Sequence, residues 1–387
     1  MTFPERGFPI DEYRGRLERA QAMMAEAELA ALLLTTEPEV RYFTGFLTRF
    51  WESPTRPWFV IVPLAGDPVA VIPSIGAHLM GQSWISDIRT WASPDYADDG
   101  VSLVAGTLAG LVPGDGVVGL PSGPESHVRL PLESFERISA AIAPRRIGGD
   151  GGIMRRLRAV KSEREIAKIR AACGVADRAF ARVLEFAMVG EPLERVFRRF
   201  QAVCLDEGAD WVGYLAGGAG PGGYGDVISP AGDVPLARGD VLMLDTGVVR
   251  DGYYCDFDRN FAFAPVAAEV DAAYARLIEA SDAAFDKAGP GVTAADLFHA
   301  MDGVLGGGSE TGRLGHGLGM QLTEGLSLIP ADQTVLAPGM VLTLEPGTAV
   351  AEGRILVHEE NIVITGTGAE YLSTPAPRAL PRLRSAR

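Results

Sequence analysis

VLMLDTGVVRDGYYCDFDRNFAF, Val241 to Phe263, sets two apolar segments on either side of Asp251-Gly252. A two-residue turn between strands needs positive φ, which Asp and Gly tolerate, so the dipeptide reads as the turn of a β-hairpin. Cross-strand partners then share one sum of residue numbers, which pairs Arg250 with Tyr253, Gly247 with Asp256 and Asp245 with Asp258. The reading puts these side chains on one face of the sheet. Three carboxylates there repel one another unless the face is open to solvent or a cation sits among them. The apolar flanks VLML and FAF describe a buried strand pair and so favour the cation, most economically a divalent metal.

Two more acids stand in strand-like surroundings: Glu345 at the end of LTLEPG and Glu359 inside ILVHEENIVIT. Glutamates in such strands are rarely buried without a partner. His316 lies in the glycine-rich run GHGLGMQLTEG, Gly315 to Gly325. Alone it is either an ordinary loop histidine or a ligand brought close to backbone. Together, Asp245, Asp256, His316, Glu345 and Glu359 offer oxygen and nitrogen donors suited to divalent Mn, Fe, Co or Zn.

The bulk properties agree with a globular enzyme. With 387 residues, 47% hydrophobic and 22% charged, the chain is expected to form two domains. A net charge of -15 disfavours nucleic acid and anionic membranes and leaves small molecules or short peptides as ligands. Cys173, Cys204 and Cys255 form no CxxC and suit a reducing cytoplasm. No apolar signal core and no run of about 20 apolar residues is present.

Along the chain, Tyr13, Leu17, Ala20 and Met24 fall at helical spacing after Asp11, a candidate cap, and LAALLL, WFVIVP and PVAVIP read as strands. GDGG at Gly149 to Gly152 breaks the pattern and marks a boundary between domains at 1–152 and 153–387. Ser162 with Glu165 forms a capping box for a helix whose apolar face runs from Ile166 to Val183. Further helices are expected after Pro192, over Val266 to Ala288 and after Thr293, with strand blocks at 241–263, 340–350 and 354–365. The last stretch, TPAPRALPRLRSAR, reads as a loosely held basic tail.

The order Asp, Asp eleven residues on, His, Glu, Glu resembles the dinuclear metal set of the metallopeptidase family that includes methionine aminopeptidase, aminopeptidase P, prolidase and creatinase. EPEVRYFTGF, Glu37 to Phe46, and LRAVKSEREI, Leu157 to Ile166, extend the likeness to the creatinase and prolidase N-terminal domain and linker. The resemblance implies an α/β (α+β) chain: a pita-bread C-terminal domain behind a smaller creatinase-like domain. It also implies two divalent ions on Asp245, Asp256, His316, Glu345 and Glu359, with Glu345 handling the proton in a hydrolysis.

Three accessory positions depart from that pattern. The proline-specific peptidases carry histidines where this chain has Ile228 and Thr323, and an arginine where it has Val357. Each missing donor is worth on the order of 3 kcal/mol to a transition state. Of the remaining histidines only His358 is near the motifs, and alternation points it away from the face of Glu359. Asp258 stands where the family has threonine, as a metal ligand, a general base or an acceptor holding Arg259 or a neighbour. Thr323 and Glu324 are candidates to line the cleft. In TRFWESPTRPWF, Thr48 to Phe59, residues Arg49, Trp51, Glu52, Arg56 and Trp58 form either a substrate-recognition surface or an aromatic core. By resemblance that segment caps the active site of a second subunit, so a homodimer is expected.

Three functions are compatible with these residues. The leading one is a metal-dependent hydrolase of the Xaa-Pro peptidase type. The second moves the scaffold to a small C-N or C-S substrate, as a creatinase-like hydrolase or a metal-dependent lyase. The third, an inactive peptide-binding module, leaves several partly buried acids without a purpose.

Overall fold

A computed structural model describes residues 3–52, 56–307 and 312–383. The chain divides into two compact units, Glu5–Arg158 and Ala159–Arg387, with Met1–Pro4 grouped with the second. The division falls six residues beyond Gly152, because the helix Ile153–Ala159 buries Ile153, Met154 and Leu157 and the Leu157 carbonyl accepts the Tyr42 hydroxyl at 3.2 Å.

The N-terminal unit is a six-stranded mixed sheet with helices. In chain order its elements are α1 (Ile10–Glu26), β1 (Ala31–Leu34), α2 (Glu37–Thr44), β2 (Phe59–Pro63), β3 (Val69–Pro73), α3 (Ala77–Met80), β4 (Asp87–Trp91), α4 (Val101–Leu111), β5 (Val117–Leu120), α5 (Leu132–Ala141), β6 (Arg146–Gly149) and α6 (Ile153–Ala159). The strand order is β4-β3-β2-β1-β5-β6. β1, β2 and β3 are buried along their whole length, as expected for apolar runs covered on both faces. α1 starts after Pro9 with no side-chain cap, so Asp11 is a first-turn acid rather than the cap.

The second unit contains α7 (Glu163–Ala181), α8 (Leu193–Asp206), β7 (Trp211–Pro221), β8 (Asp240–Arg250), β9 (Tyr253–Tyr254), β10 (Phe257–Phe263), α9 (Ala268–Lys287), α10 (Ala294–Leu305), β11 (Val341–Leu344), β12 (Gly347–Ala351), β13 (Arg354–Val357), β14 (Glu360–Ile364), β15 (Ala369–Tyr371) and β16 (Arg382–Leu383). The expected capping box of Ser162 and Glu165 starts α7, and Thr293 with Asp296 builds a second at α10. β7, β8 and β10 run antiparallel in one sheet, and β11, β14 and β15 form a second.

The hairpin register is the one set by its turn: Arg250 faces Tyr253 and Asp245 faces Asp258. Asp251 and Gly252 take φ of 48° and 76°, the positive values that the turn demands. Two expectations fail locally. The ladder opens at Cys255 and Asp256, so Asp256 is not paired with Gly247. Arg250 is five residues from Asp245 and therefore on the opposite face; it donates to the Gly208 carbonyl and lies 3.4 Å from the centre of the Phe3 ring.

The chain end is not loose as far as Leu383. β16 pairs with β10, Leu380 and Leu383 are buried, and Arg382 is bound to Asp271. Docking on a sheet edge supplies backbone partners that composition does not reveal. Arg384 to Arg387 lie outside the described residues.

Candidate metal centre

Five positions spread over more than a hundred residues bring the metal-ligand candidates together. β8 supplies Asp245; the break between β9 and β10 supplies Asp256; the loop after α10 supplies His316; the end of β11 supplies Glu345; the residue before β14 supplies Glu359. They form two overlapping donor sets, Asp256–His316–Glu345 and Asp245–Asp256–Glu359, each with one atom per residue within 4.8 Å of the others.

Three of the five candidates are held by local devices. At the ladder break, the backbone of Asp256 is carried by Asn361, whose Oδ1 accepts the Asp256 N–H at 3.0 Å and whose Nδ2 donates to the Asp256 carbonyl at 2.5 Å. His316 is fixed by its glycines. A Cβ on Gly315 would meet the Thr343 carbonyl oxygen at 2.3 Å, and one on Gly317 the Glu324 carbonyl oxygen at 2.1 Å. Only glycine lets the loop approach β11 at Gly315 and its own return at Gly317 so closely. The His316 Nδ1 lies 2.9 Å from the Gly317 carbonyl, to which it donates, leaving Nε2 2.9 Å from Glu345 Oε1 and 3.3 Å from Asp256 Oδ2. Thr343 Oγ1 links the two sides, accepting the His316 N–H at 2.9 Å and donating to Glu345 Oε1 at 2.5 Å.

The electrostatics of this cluster ask for a cation. Burial pushes Asp245 well above the carboxylate range, and the charges of Asp256, Asp258 and Glu345 push it further. Burial also raises Glu359, reinforced by Asp245 and Glu345. Asp256 is raised by burial and partly relieved by His316, to about 6. His316 loses by burial but gains more from Glu345 and Asp256, and rises to about 10. Burial acts upward on Glu345 as well, yet His316 outweighs it and the carboxyl sits below its usual value. Asp245 Oδ1 is buried with no hydrogen-bond partner. Carboxylate oxygens and one imidazole in this arrangement fit a hard or borderline divalent ion, which would satisfy the orphaned oxygen and neutralise the repulsion.

The other candidate residues scatter. Thr323 sits on the return of the His316 loop, and its hydroxyl accepts from Arg313 Nη2 at 3.2 Å. The Glu324 carboxylate is engaged within its own loop: Oε1 is 3.1 Å from Lys161 Nζ and Oε2 accepts the N–H groups of Met320 and Gln321, with both side chains of the ion pair buried. Asp258 belongs to neither donor set, and its Oδ1 accepts the Glu359 N–H at 3.0 Å. Ile228 is 80% exposed in a loop shaped by Asp226.

In the N-terminal unit, Trp51 and Trp58 are buried against one another, with ring centres 5.7 Å apart, and Phe46 and Phe50 pack on Trp58. This is the aromatic core, not an open recognition face. Arg49 is exposed, Arg56 lies 5.9 Å from the Phe50 ring, and Arg129 covers Trp51 at 5.1 Å. Ser53, Pro54 and Thr55, with the side chain of Glu52, lie outside the described residues.

Three residues beside the site escape sequence reading. Tyr214, opposite Gly247 on β7, is raised by burial and by the charges of Asp245, Glu359, Asp256 and Glu345. Arg313 lowers Asp256 and Glu345 through its charge. Asn361 shares the face of Glu359 by period-two alternation, the one sequence signal that points to it.

Comparison with known proteins places these residues in context. Residues 167–366 match the model of metallopeptidase family M24, and residues 16–160 match the creatinase/prolidase N-terminal domain. A probable dipeptidase PepE of Mycobacterium tuberculosis is 31% identical over 371 residues, 93% of each chain. The crystal structure of dipeptidase PepE from Mycobacterium ulcerans superposes with a TM-score of 0.82 at 27% identity, covering 97% of this chain and 99% of that one. A recombinant prolidase from Thermococcus sibiricus shares the fold with a TM-score of 0.86 at 22% identity, covering 97% and 100%.

Proposed function

We propose, for a chain that belongs to metallopeptidase family M24 and combines its pita-bread fold with a creatinase-like N-terminal domain, that it cleaves short Xaa-Pro peptides with two divalent metal ions. It is a hydrolase of that family. The observation that carries the metal reading is Asp245, a buried carboxylate with an orphaned oxygen among acids that repel it. Asp245, Asp256 and Glu359 would hold one ion and Asp256, His316 and Glu345 the other, with Mn, Co, Zn or Fe suited to the donors. Such ions, when bound, make a nucleophile from water near neutral pH and polarise the carbonyl under attack.

The chain's own groups do the rest. Glu345, held below its usual value by His316 in the metal-free chain, is 15% exposed and so open to take a proton and return it to the leaving nitrogen. Thr343 orients that carboxylate and the His316 backbone together. Thr323 stands where the proline peptidases use histidine, and its hydroxyl accepts from Arg313, which leaves its O–H able to donate. The dipeptidases among the relatives support a short peptide as substrate. We place the protein in the cytoplasm as a homodimer. Its cysteines are free and buried, and no helix among the described residues is long and apolar enough to cross a membrane.

A second reading, a family member acting on a small C-N or C-S bond, is favoured by one observation: Ile228 is an apolar side chain facing solvent and Thr323 carries a hydroxyl that does not titrate near neutral pH, so neither replaces a histidine as an acid or base. The test is hydrolysis of Xaa-Pro dipeptides and longer Xaa-Pro peptides by protein loaded with Mn, Co, Zn or Fe, with Glu345→Ala as the blank. Metal-dependent cleavage lost in the blank supports the peptidase. A metal-loaded protein that cleaves none of the panel sinks it and leaves the second reading.

A further inference from the structure

Asp258 is the direct cross-strand partner of Asp245, yet its carboxylate stands outside both donor sets. It is fully buried, so it must find its partners inside the protein. Oδ1 accepts the backbone N–H of Glu359 at 3.0 Å and lies 3.5 Å from His358 Nδ1; Oδ2 lies 3.4 Å from Asn260 Nδ2. His358 is buried too, with Nε2 3.4 Å from Glu360 Oε1. Glu360 is itself anchored by Arg259 Nη2 at 3.0 Å, Ser373 Oγ at 2.5 Å and the Ala376 N–H at 2.7 Å. His358 stands at ion-pair distance from Glu360 on one side and Asp258 on the other, its Nδ1 making no hydrogen bond, and Asp258 in turn hydrogen-bonds the backbone of Glu359.

Glu359 belongs to one donor set only, the one with Asp245 and Asp256. The other set draws its support elsewhere: the Gly317 carbonyl orients the His316 ring and Thr343 orients Glu345. From this division, and resting on the reading of the two sets as metal sites, we propose that Asp258 and His358 are a positioning pair. They fix the Glu359 backbone and so set the affinity of the Asp245–Asp256–Glu359 site without acting on the Asp256–His316–Glu345 site. Groups that orient ligands from behind usually matter by about 10- to 100-fold in metal affinity.

The test is a Mn titration of the metal-free protein by calorimetry, followed by electron paramagnetic resonance, for wild type, Asp258→Asn, His358→Gln and His316→Ala. The expected result is two binding steps in wild type. Asp258→Asn and His358→Gln weaken one step by about 10- to 100-fold and leave the other within about twofold, while His316→Ala removes that other step. At one equivalent of Mn per chain, the two positioning variants show an uncoupled single-ion spectrum. The retained step reports that each variant is folded. Two steps that weaken alike, or neither weakening, overturn the pair while leaving the metal reading intact. A wild-type protein that takes up no Mn overturns both.

Discussion

Lys161 Nζ lies 3.1 Å from Glu324 Oε1, and both side chains are almost fully enclosed, at 2% and 5% exposure. A residue that looks from sequence like part of a substrate cleft is the anchor of the loop that carries His316. The same carboxylate accepts two N–H groups of that loop, from Met320 and Gln321. Removing one partner leaves an uncompensated buried charge, so Lys161→Met is expected to destabilise the second unit by about 3–5 kcal/mol. Glu324→Gln should cost less, because it keeps the shape. The double variant should cost less than the sum of the two, read by urea unfolding of the metal-free protein. Additive costs would mean the ion pair is not the anchor.

His316→Ala removes the nitrogen ligand and the group that keeps Glu345 ionised. Bound Mn should fall by one equivalent per chain, and kcat/KM on any cleaved substrate by at least about 100-fold, since proton transfer and metal chemistry fail together. Equilibrium dialysis with metal analysis gives the first number. Full metal content in the variant would remove His316 from the ligand set.

Stability of the metal-free protein should fall as pH rises. The folded pKa of His316, about 10, lies above its ordinary 6.5, so its contribution is complete below about 6.5 and is lost as pH climbs through about 10. Asp256 is raised from 3.8 to about 6, and its contribution is lost over that lower window in the same direction. Asp245 and Glu359, raised by burial, add to the fall. Saturating metal should reverse the trend, because ligands bind deprotonated and metal uptake releases protons. Thermal melts across the window from about 6 to about 10, with chelator and with Mn, check both signs. A chelated protein that grows more stable over that window contradicts the arrangement.

Truncation before Leu380 strips Leu380 and Leu383 from their buried positions and leaves the edge of β10 without β16. Two buried leucines are worth roughly 2–3 kcal/mol each, so Tm should drop by several degrees. Truncation after Leu383 should leave Tm unchanged. Equal melting of both truncations would return the tail to the loose state that its composition suggests.

Trp58→Ala should cost about 3–5 kcal/mol, because the ring is packed between Phe46, Phe50 and Trp51. Arg49→Ala, at an exposed position, should fall within about 0.5 kcal/mol of wild type. Comparable losses at the two positions would argue against Trp58 as a core residue.

By itself, the sequence determined what depends on neighbours along the chain. Asp251-Gly252 selected the turn, and period-two pairing then fixed Asp245 opposite Asp258. Ser162 and Glu165 named the start of α7, and the resemblance in the order of five donors pointed to the cluster that could hold a metal ion. Tertiary structure decided what each acid does. Asp256 leaves the ladder because Asn361, 105 residues away, takes over its backbone bonds. Asp258, two residues on, turns to the Glu359 backbone, and Glu324 turns to Lys161. A carboxylate carries the same charge wherever it stands in the chain. Whether it binds a metal, a lysine or a backbone N–H depends on which partners folding brings within about 3 Å of it in a place without water.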